Sequence, residues 1–202
     1  EEVKLFFKLS VEYFHRLLHI YDKQPTEPVA EYIRIHGNTY AHICQWQPAL
    51  FIMMPKALQL IQTYLSIVQS KAGILQQVGS ADEDEDIVEF WEKIVVQGLT
   101  LLRKVITLFH KNGVSTIRYR TQDDKEEAKQ AFEFLEKSLF TPEIINSIVD
   151  LLLTSYFKLT PRDLENWRSN PEEWKTYGFG DFWRPHQVRP RAEELFTDLL
   201  AN

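Results

Sequence analysis

The sequence has few of the residues that mark several common protein classes. Its 202 residues include one cysteine, Cys44, so no disulfide can form within the chain and an oxidising compartment is not indicated. Glycine occurs only 7 times, which argues against a sheet-rich or loop-rich protein. No apolar run approaches the roughly 20 residues that a membrane-spanning helix needs. We therefore expect no membrane partner.

The chain also lacks a surplus of positive charge. Its 29 acidic residues outnumber its 23 lysines and arginines, for a net charge of -6. Direct nucleic-acid binding needs clustered Lys and Arg, so it is not predicted, whereas basic partners are weakly favoured. The sequence has neither a glycine-rich phosphate loop nor a Gly-x-Ser-x-Gly elbow. We predict no enzymatic activity and no cofactor.

What the chain does have is helical periodicity. With 44% hydrophobic and 13% aromatic residues it can bury a sizeable core. Its first segment spaces its apolar residues by four, three, four and three, which draws one stripe along a helix: Phe7, Val11, Phe14, Leu18 and Tyr21. Strand-like alternation of useful length is missing from the sequence. The fold class predicted is all-α.

Proline and threonine mark where helices begin. Pro28 predicts the start of a second helix, weakened by Gly37, with one apolar face: Val29, Ile33, His36, Tyr40 and Ile43. Thr141-Pro142 and Thr160-Pro161 each place an N-cap residue before a proline in the first turn. Asp163 follows Thr160 by three positions, as in a capping box.

Pairing the helices gives units of roughly 40 residues, the size of HEAT or armadillo repeats. The predicted pairs are 2–46, 49–111 and 123–158, followed by an inter-helix insertion at 159–187 and the first helix of a further repeat at 188–202. They would form one continuous HEAT-repeat α-solenoid. A helical bundle is the architectural alternative. Because the chain begins Glu1-Glu2-Val3, we expect a fragment of a longer protein.

Two candidate chemical features have simpler explanations. His15 and His19 share a helix face, but Arg16 stands where a metalloprotease motif has glutamate, so no metal site is predicted. Cys44 has His42 two residues before it, on a different helix face, and a core cysteine is the commoner case.

Two other features are candidate binding or anchoring sites. The first is a run of five acids that leads into a helix, where the helix dipole favours negative charge: Asp82, Glu83, Asp84, Glu85 and Asp86. The run is either a solvated loop or an electrostatic receptor for a basic partner. The second is the pair Trp167 and Trp174, tryptophans in a polar stretch. They either anchor the insertion onto the helices, which we favour, or bind a partner.

The C-terminal quarter resembles a known family. The segment 156–167, Tyr-Phe-Lys-Leu-Thr-Pro-Arg-Asp-Leu-Glu-Asn-Trp, is followed by Asn170-Pro171-Glu172-Glu173-Trp174. Together they resemble an element of the importin-β superfamily, in which a hydrophobic-Thr segment precedes Leu-x-x-Trp and a Pro-Glu-Glu-aromatic step. The segment 188–196 resembles the family's next helix, which often reads Arg-Pro-Cys-Ala-Glu; Arg191 stands here in place of the cysteine. The nearest branch resembles importin-eleven and its fungal relatives.

The resemblance implies a nuclear import receptor of the karyopherin type, built as a HEAT-repeat superhelix. Its implied partners are the GTPase Ran, basic cargo proteins and Phe-Gly nucleoporins, and its implied location is the cytoplasm and nucleus, with shuttling between them. The motif gives no register for a Ran or nucleoporin site. Two alternatives stay open: a generic HEAT-repeat scaffold in a large assembly, and an enzyme on a helical bundle.

Overall fold

The computed structural model describes residues 2–78, 84–110, 121–172, 174–175 and 187–200. The described α-helices are α1 (Glu2–Lys23), α2 (Glu27–Trp46), α3 (Pro48–Met53), α4 (Ala57–Gln76), α5 (Glu85–His110), α6 (Gln122–Ser138), α7 (Pro142–Leu151), α8 (Pro161–Ser169) and α9 (Val188–Leu200). A π-helical turn, Leu152–Tyr156, directly continues α7. No strand occurs in these ranges. None of the described helices has the length and apolar character needed to cross a membrane.

The helices pack on one another in succession. Helix α1 packs on α2 and α4 packs on α5, while α5 also packs on α2 and on α9. Stacked helix pairs whose apolar faces are covered by their neighbours define a solenoid. The predicted all-α HEAT-repeat fold is thereby confirmed for the described chain.

The division into helix pairs at 2–46, 49–111 and 123–158 stays a prediction. Helix α6 packs mainly on α3 and α5, whereas the π-helical turn packs on α4 and α9. We propose from these contacts that α7 and its turn pair with α9, and that α8 belongs to an insertion within that pair. In this division the segment 188–202 completes a repeat instead of opening one.

Helix α1 buries nearly the face that its periodicity predicts. Its buried residues are Phe7, Val11, Phe14, Leu17 and Tyr21. Leu17 takes the place expected for Leu18, which is only partly buried.

Helix α2 buries a face that is shifted by about one residue from the predicted one: Ile33 and Tyr40 belong to both, and Val29 and Ile43 are partly buried against the core. Its buried residues are Ala30, Ile33, Gly37, Tyr40 and Cys44, whereas the predicted face included Val29, His36 and Ile43. A Cβ built on Gly37 would lie 2.1 Å from Gln97 Oε1 and 2.5 Å from the Tyr64 hydroxyl. The small residues of α2 therefore admit α4 and α5 at close range. Gly37 is a packing residue as well as a weak helix former.

Aromatic side chains join the first four helices. Phe7 contacts Phe51 edge-on at a ring-centroid distance of 5.7 Å, and Phe14 contacts Tyr40 edge-on at 5.6 Å. Such pairs stabilise a core beyond the area that they bury. Ser10 Oγ lies 2.9 Å from the Tyr40 hydroxyl, and burial raises the pKa of Tyr40 to about 12.

Candidate functional site

Aromatic packing fixes the first turns of α5 against α1. The Tyr21 ring stacks on Phe90 at a centroid distance of 3.8 Å and meets Trp91 edge-on at 5.9 Å. Lys71 Nζ lies 3.8 Å from the centroid of the Trp91 ring, a cation–π contact. The acidic residues that begin α5 therefore stand on a packed base.

The structure describes three of the five predicted acidic residues, and Asp82 and Glu83 lie outside the described residues. Asp84 caps α5, since its Oδ1 accepts hydrogen bonds from the backbone N–H groups of Asp86 at 3.2 Å and Ile87 at 3.4 Å. Glu85 and Asp86 are exposed in the first turn, where the helix dipole favours carboxylates. Part of the run thus has a structural role.

The acidic turn faces the junction of α1 and α2. Burial raises the pKa of Tyr21, and the charges of Glu27, Asp84 and Asp86 raise it further. Arg34 neutralises this junction in part, through ion pairs to Glu27 at 2.6 Å and to a second carboxylate, Glu31, at 2.5 Å. Among the described residues, Asp84, Glu85 and Asp86 have no ion-pair partner. These three carboxylates at the start of α5 therefore carry negative charge that no described cation pairs with.

The second candidate region is tied to α4 by hydrogen bonds from both sides. The Tyr156 hydroxyl donates to the backbone carbonyl of Val68, and burial raises the pKa of Tyr156. Gln76 Nε2 lies 3.1 Å from each of the carbonyl oxygens of Thr154 and Ser155. These carbonyls end a helix and would otherwise lack a partner, so Gln76 acts as a side-chain cap.

Helix α8 is anchored where it begins. The capping box predicted between Thr160 and Asp163 is present, with the Asp163 carboxylate 2.9 Å from the Thr160 backbone nitrogen. The backbone N–H of Arg162 donates to the carbonyl of Val78 at 3.0 Å. The Arg162 guanidinium also pairs with Glu92 of α5 at 2.5 Å. Burial raises the pKa of Glu92, and the positive charge of Arg162 opposes that rise.

Trp167 and Trp174 are brought together. Their ring centroids lie 6.4 Å apart, and the Arg189 guanidinium carbon lies 5.7 Å from the centroid of the Trp174 ring. Trp167 is 51% exposed, whereas Trp174 is half-buried. Through Trp174 the pair contacts the start of α9. The role of the two tryptophans as loop anchors stays a prediction, and Trp174 is the better candidate of the two.

Between these elements lies a cleft of about 530 Å³, bounded by α4, the π-helical turn, α8 and the start of α9. Its floor includes Leu75 and Tyr156, which are buried. Lys158, Arg162 and Arg189 are among its charged lining residues.

The chemical candidates set aside from the sequence have structural explanations. His15 Nε2 contacts the Thr63 hydroxyl at 2.8 Å, and within the described residues no group of three or more His, Cys, Asp or Glu could hold a metal ion. Cys44 is buried, and burial raises the pKa of its thiol to about 12. A thiol in that state supplies no thiolate at neutral pH.

Sequence reasoning missed Gln76, Glu92 and the three cations of the cleft, Lys158, Arg162 and Arg189. The Thr-Pro-x-Asp pattern signalled the cap of α8 because its partners are three residues apart. Gln76 and Glu92 meet residues 70 or more positions away, so a single sequence carries no signal for them.

The fold and these sites describe a segment of a HEAT-repeat solenoid. No family model matches the chain. It is 31% identical to importin beta-like protein KAP120 of Saccharomyces cerevisiae over 96% of this chain and 18% of that protein. It is also 27% identical to human importin-11 over 54% of this chain and 11% of that protein.

A solved structure agrees. The structure of Lph2, described as a novel bidirectional nuclear transport receptor in S. cerevisiae, superposes with a TM-score of 0.85 and 28% identity, covering 99% of this chain and 19% of that one. These findings place the chain in the importin-β superfamily, near the importin-11 branch. The chain spans about a fifth of the length of these relatives.

Proposed function

We propose that this chain is part of a nuclear transport receptor that binds protein cargo and takes part in Ran-GTP-regulated import through the nuclear pore. The observation that carries the proposal is similarity over 96% of the chain to KAP120, an importin beta-like protein. The Lph2 structure, described as a nuclear transport receptor, covers 99% of it. Both support a general role in nuclear transport. Such a receptor would shuttle between cytoplasm and nucleus and would meet Phe-Gly nucleoporins on the way.

The architecture suits such a role. Stacked helix pairs contact only their neighbours, so small rotations between pairs add up to a change in curvature. If cargo and Ran-GTP favour different curvatures, binding of one weakens binding of the other through a coupling free energy. No enzymatic step is needed.

The test is a pull-down of the full-length parent protein with Ran locked in its GTP form and, in parallel, with Ran-GDP. We expect binding selective for the GTP form. Binding to neither form would overturn the proposal and favour a generic HEAT-repeat scaffold, which would have no reason to distinguish the two.

We also propose that the acidic run contributes to binding of basic cargo. Asp84, Glu85 and Asp86 are exposed, lie on a rigid aromatic base and have no ion-pair partner among the described residues. Unpaired surface carboxylates attract Lys- and Arg-rich segments at long range and are screened by salt.

The first prediction concerns the charge of this run. The triple substitution Asp84→Asn, Glu85→Gln and Asp86→Asn removes three charges, and asparagine at position 84 still caps the helix. We expect a lysine-rich import peptide to bind the parent protein several-fold more weakly at low salt, with a flatter salt dependence. Fluorescence anisotropy measures both.

The matched control removes three exposed carboxylates of α6 instead, through Asp123→Asn, Glu133→Gln and Glu136→Gln. It should leave affinity nearly unchanged. Equal losses of affinity in the two variants would show that the effect comes from net charge alone, and would contradict a local binding site.

A further inference from the structure

The cleft beside α8 has the dimensions and the composition of a ligand site. Its volume of about 530 Å³ falls within the roughly 300–1,000 Å³ usual for such sites. Leu75 and Tyr156 give it a buried apolar floor, and α8 gives it a polar wall that includes Asn166 and Ser169. An apolar floor with a few polar groups around it can orient a bound segment.

Its charges do not cancel. Among the residues that the structure describes, five charged ones line it: Glu92, Lys158, Arg162, Asp163 and Arg189. Glu92 is paired with Arg162 at 2.5 Å, and both the Thr160 backbone N–H and hydroxyl lie 2.9 Å from the Asp163 carboxylate. Both carboxylates are thus satisfied within the chain.

Lys158 and Arg189 have no carboxylate partner in the part of the chain that the structure describes. Lys158 is exposed, and Arg189 is half-buried against the Trp174 ring. The Trp174 contact holds the Arg189 guanidinium near the cleft without neutralising it. A chain with net charge -6 therefore concentrates two available cations at one concave site.

We propose that this cleft binds an acidic, extended segment of a protein partner, with Lys158 and Arg189 receiving its carboxylates. Arginine pairs with carboxylates in a bidentate geometry, and lysine supplies a mobile point charge. The exposed amide of Asn166 offers both a donor and an acceptor to a peptide backbone. Two available cations are fewer than the clustered Lys and Arg residues that a nucleic-acid backbone needs. This proposal does not depend on Ran-regulated transport, because it concerns an acidic ligand rather than basic cargo.

The experiment measures binding of a fluorescein-labelled peptide of alternating glutamate and glycine to the full-length parent protein. We expect saturable binding that weakens with salt, and about tenfold weaker binding in the Lys158→Gln/Arg189→Gln variant. The single variant Lys158→Gln changes an exposed side chain, so it tests the site without touching the Trp174 contact; it should lose part of the affinity.

The control variant Lys125→Gln/Lys129→Gln removes two exposed lysines of α6 and should bind as the wild type does. The proposal is overturned if the acidic peptide does not bind, if the cleft and control variants bind it equally, or if a matched lysine–glycine peptide binds as tightly. Tighter binding of a short single-stranded RNA, lost in the cleft variant, would overturn it in favour of a phosphate ligand.

Discussion

At the scale of single residues, α2 approaches α4 and α5 closely at Gly37. Gln97 Nε2 donates to the Arg34 carbonyl and to Asn38 Oδ1, both at 2.9 Å. Because these bonds hold Gln97 over Gly37, the space for a side chain there is closed. Gly73 of α4 has nothing within 4 Å of its Cβ position.

The second prediction compares these two glycines. Gly37→Ala should destabilise the chain by about 1–3 kcal/mol, because a Cβ at 2.1 Å from Gln97 Oε1 forces that side chain out of its hydrogen bonds. Gly73→Ala should stabilise it by about 0.5–1 kcal/mol, since alanine favours a helix interior. Urea denaturation measures both. A neutral Gly37→Ala would show that Gln97 can move freely.

The capping box of α8 and the buried face of α2 show what a sequence can reveal at the scale of single residues. The capping box of Thr160 and Asp163 was predictable because both partners sit in one helical turn. The buried face of α2 was not, because Ala30, Gly37 and Cys44 pack through their small size and add little to a hydrophobic pattern. Gly37 was recognised as a weak helix former but not as a contact.

At the scale of helices, α7 and its π-helical turn are joined to α4 through few but specific groups. The caps given by Gln76 to the carbonyls of Thr154 and Ser155 join α4 to the π-helical turn. Gln69, two helical turns earlier on α4, contacts Ser147 at only 3.5 Å.

The third prediction uses these two glutamines. Gln76→Ala should lower the free energy of unfolding by about 1 kcal/mol, because it leaves two helix-terminal carbonyls without their donor. We expect faster hydrogen exchange at the amides of the π-helical turn and α8. Gln69→Ala should have a smaller effect, since its hydrogen bond is long. Similar exchange rates in both variants would contradict a capping role.

At the scale of the whole molecule, two half-buried histidines, His15 and His36, couple stability to pH. Burial lowers the pKa of His15, with a smaller contribution from the charge of Lys56, and burial lowers the pKa of His36. His15 lies between α1 and α4 at Thr63, and His36 lies between α2 and α1 at Ser10. Protonating either histidine therefore acts on contacts between helices.

The fourth prediction follows from the sign of these shifts. A depressed histidine pKa means that the unfolded chain binds protons first, so stability is complete above the ordinary pKa of about 6.5 and falls as the pH decreases. The melting temperature should drop between about pH 7.5 and about pH 5.5. Glu92 acts in the opposite sense, because its raised pKa favours the folded state at lower pH.

The control for this prediction is the double variant His15→Gln/His36→Gln, which keeps polar side chains but removes the titration. Its melting temperature should change less over the same interval. An equal drop in both proteins would assign the effect to other groups.

The all-helical class was predictable from the spacing of apolar residues, because each helix carries its own periodicity. Which other helices each helix packs against was less predictable. Helix α6 follows α5 and precedes α7 in the chain, yet it packs mainly on α3 and α5, and no local pattern in residues 122–156 encodes that choice.

The π-helical turn at Leu152–Tyr156 has a consequence for how this region can vary. A π turn holds one residue more than an α turn, so each later residue is displaced by about 100° around the axis. The Tyr156 hydroxyl reaches the Val68 carbonyl in this displaced register. Loss of a single codon within the turn would rotate Tyr156 away from α4 and shift the entry of α8, without changing the chemical nature of any side chain. The contact with α4 therefore depends on the number of residues in this turn as much as on their chemical nature.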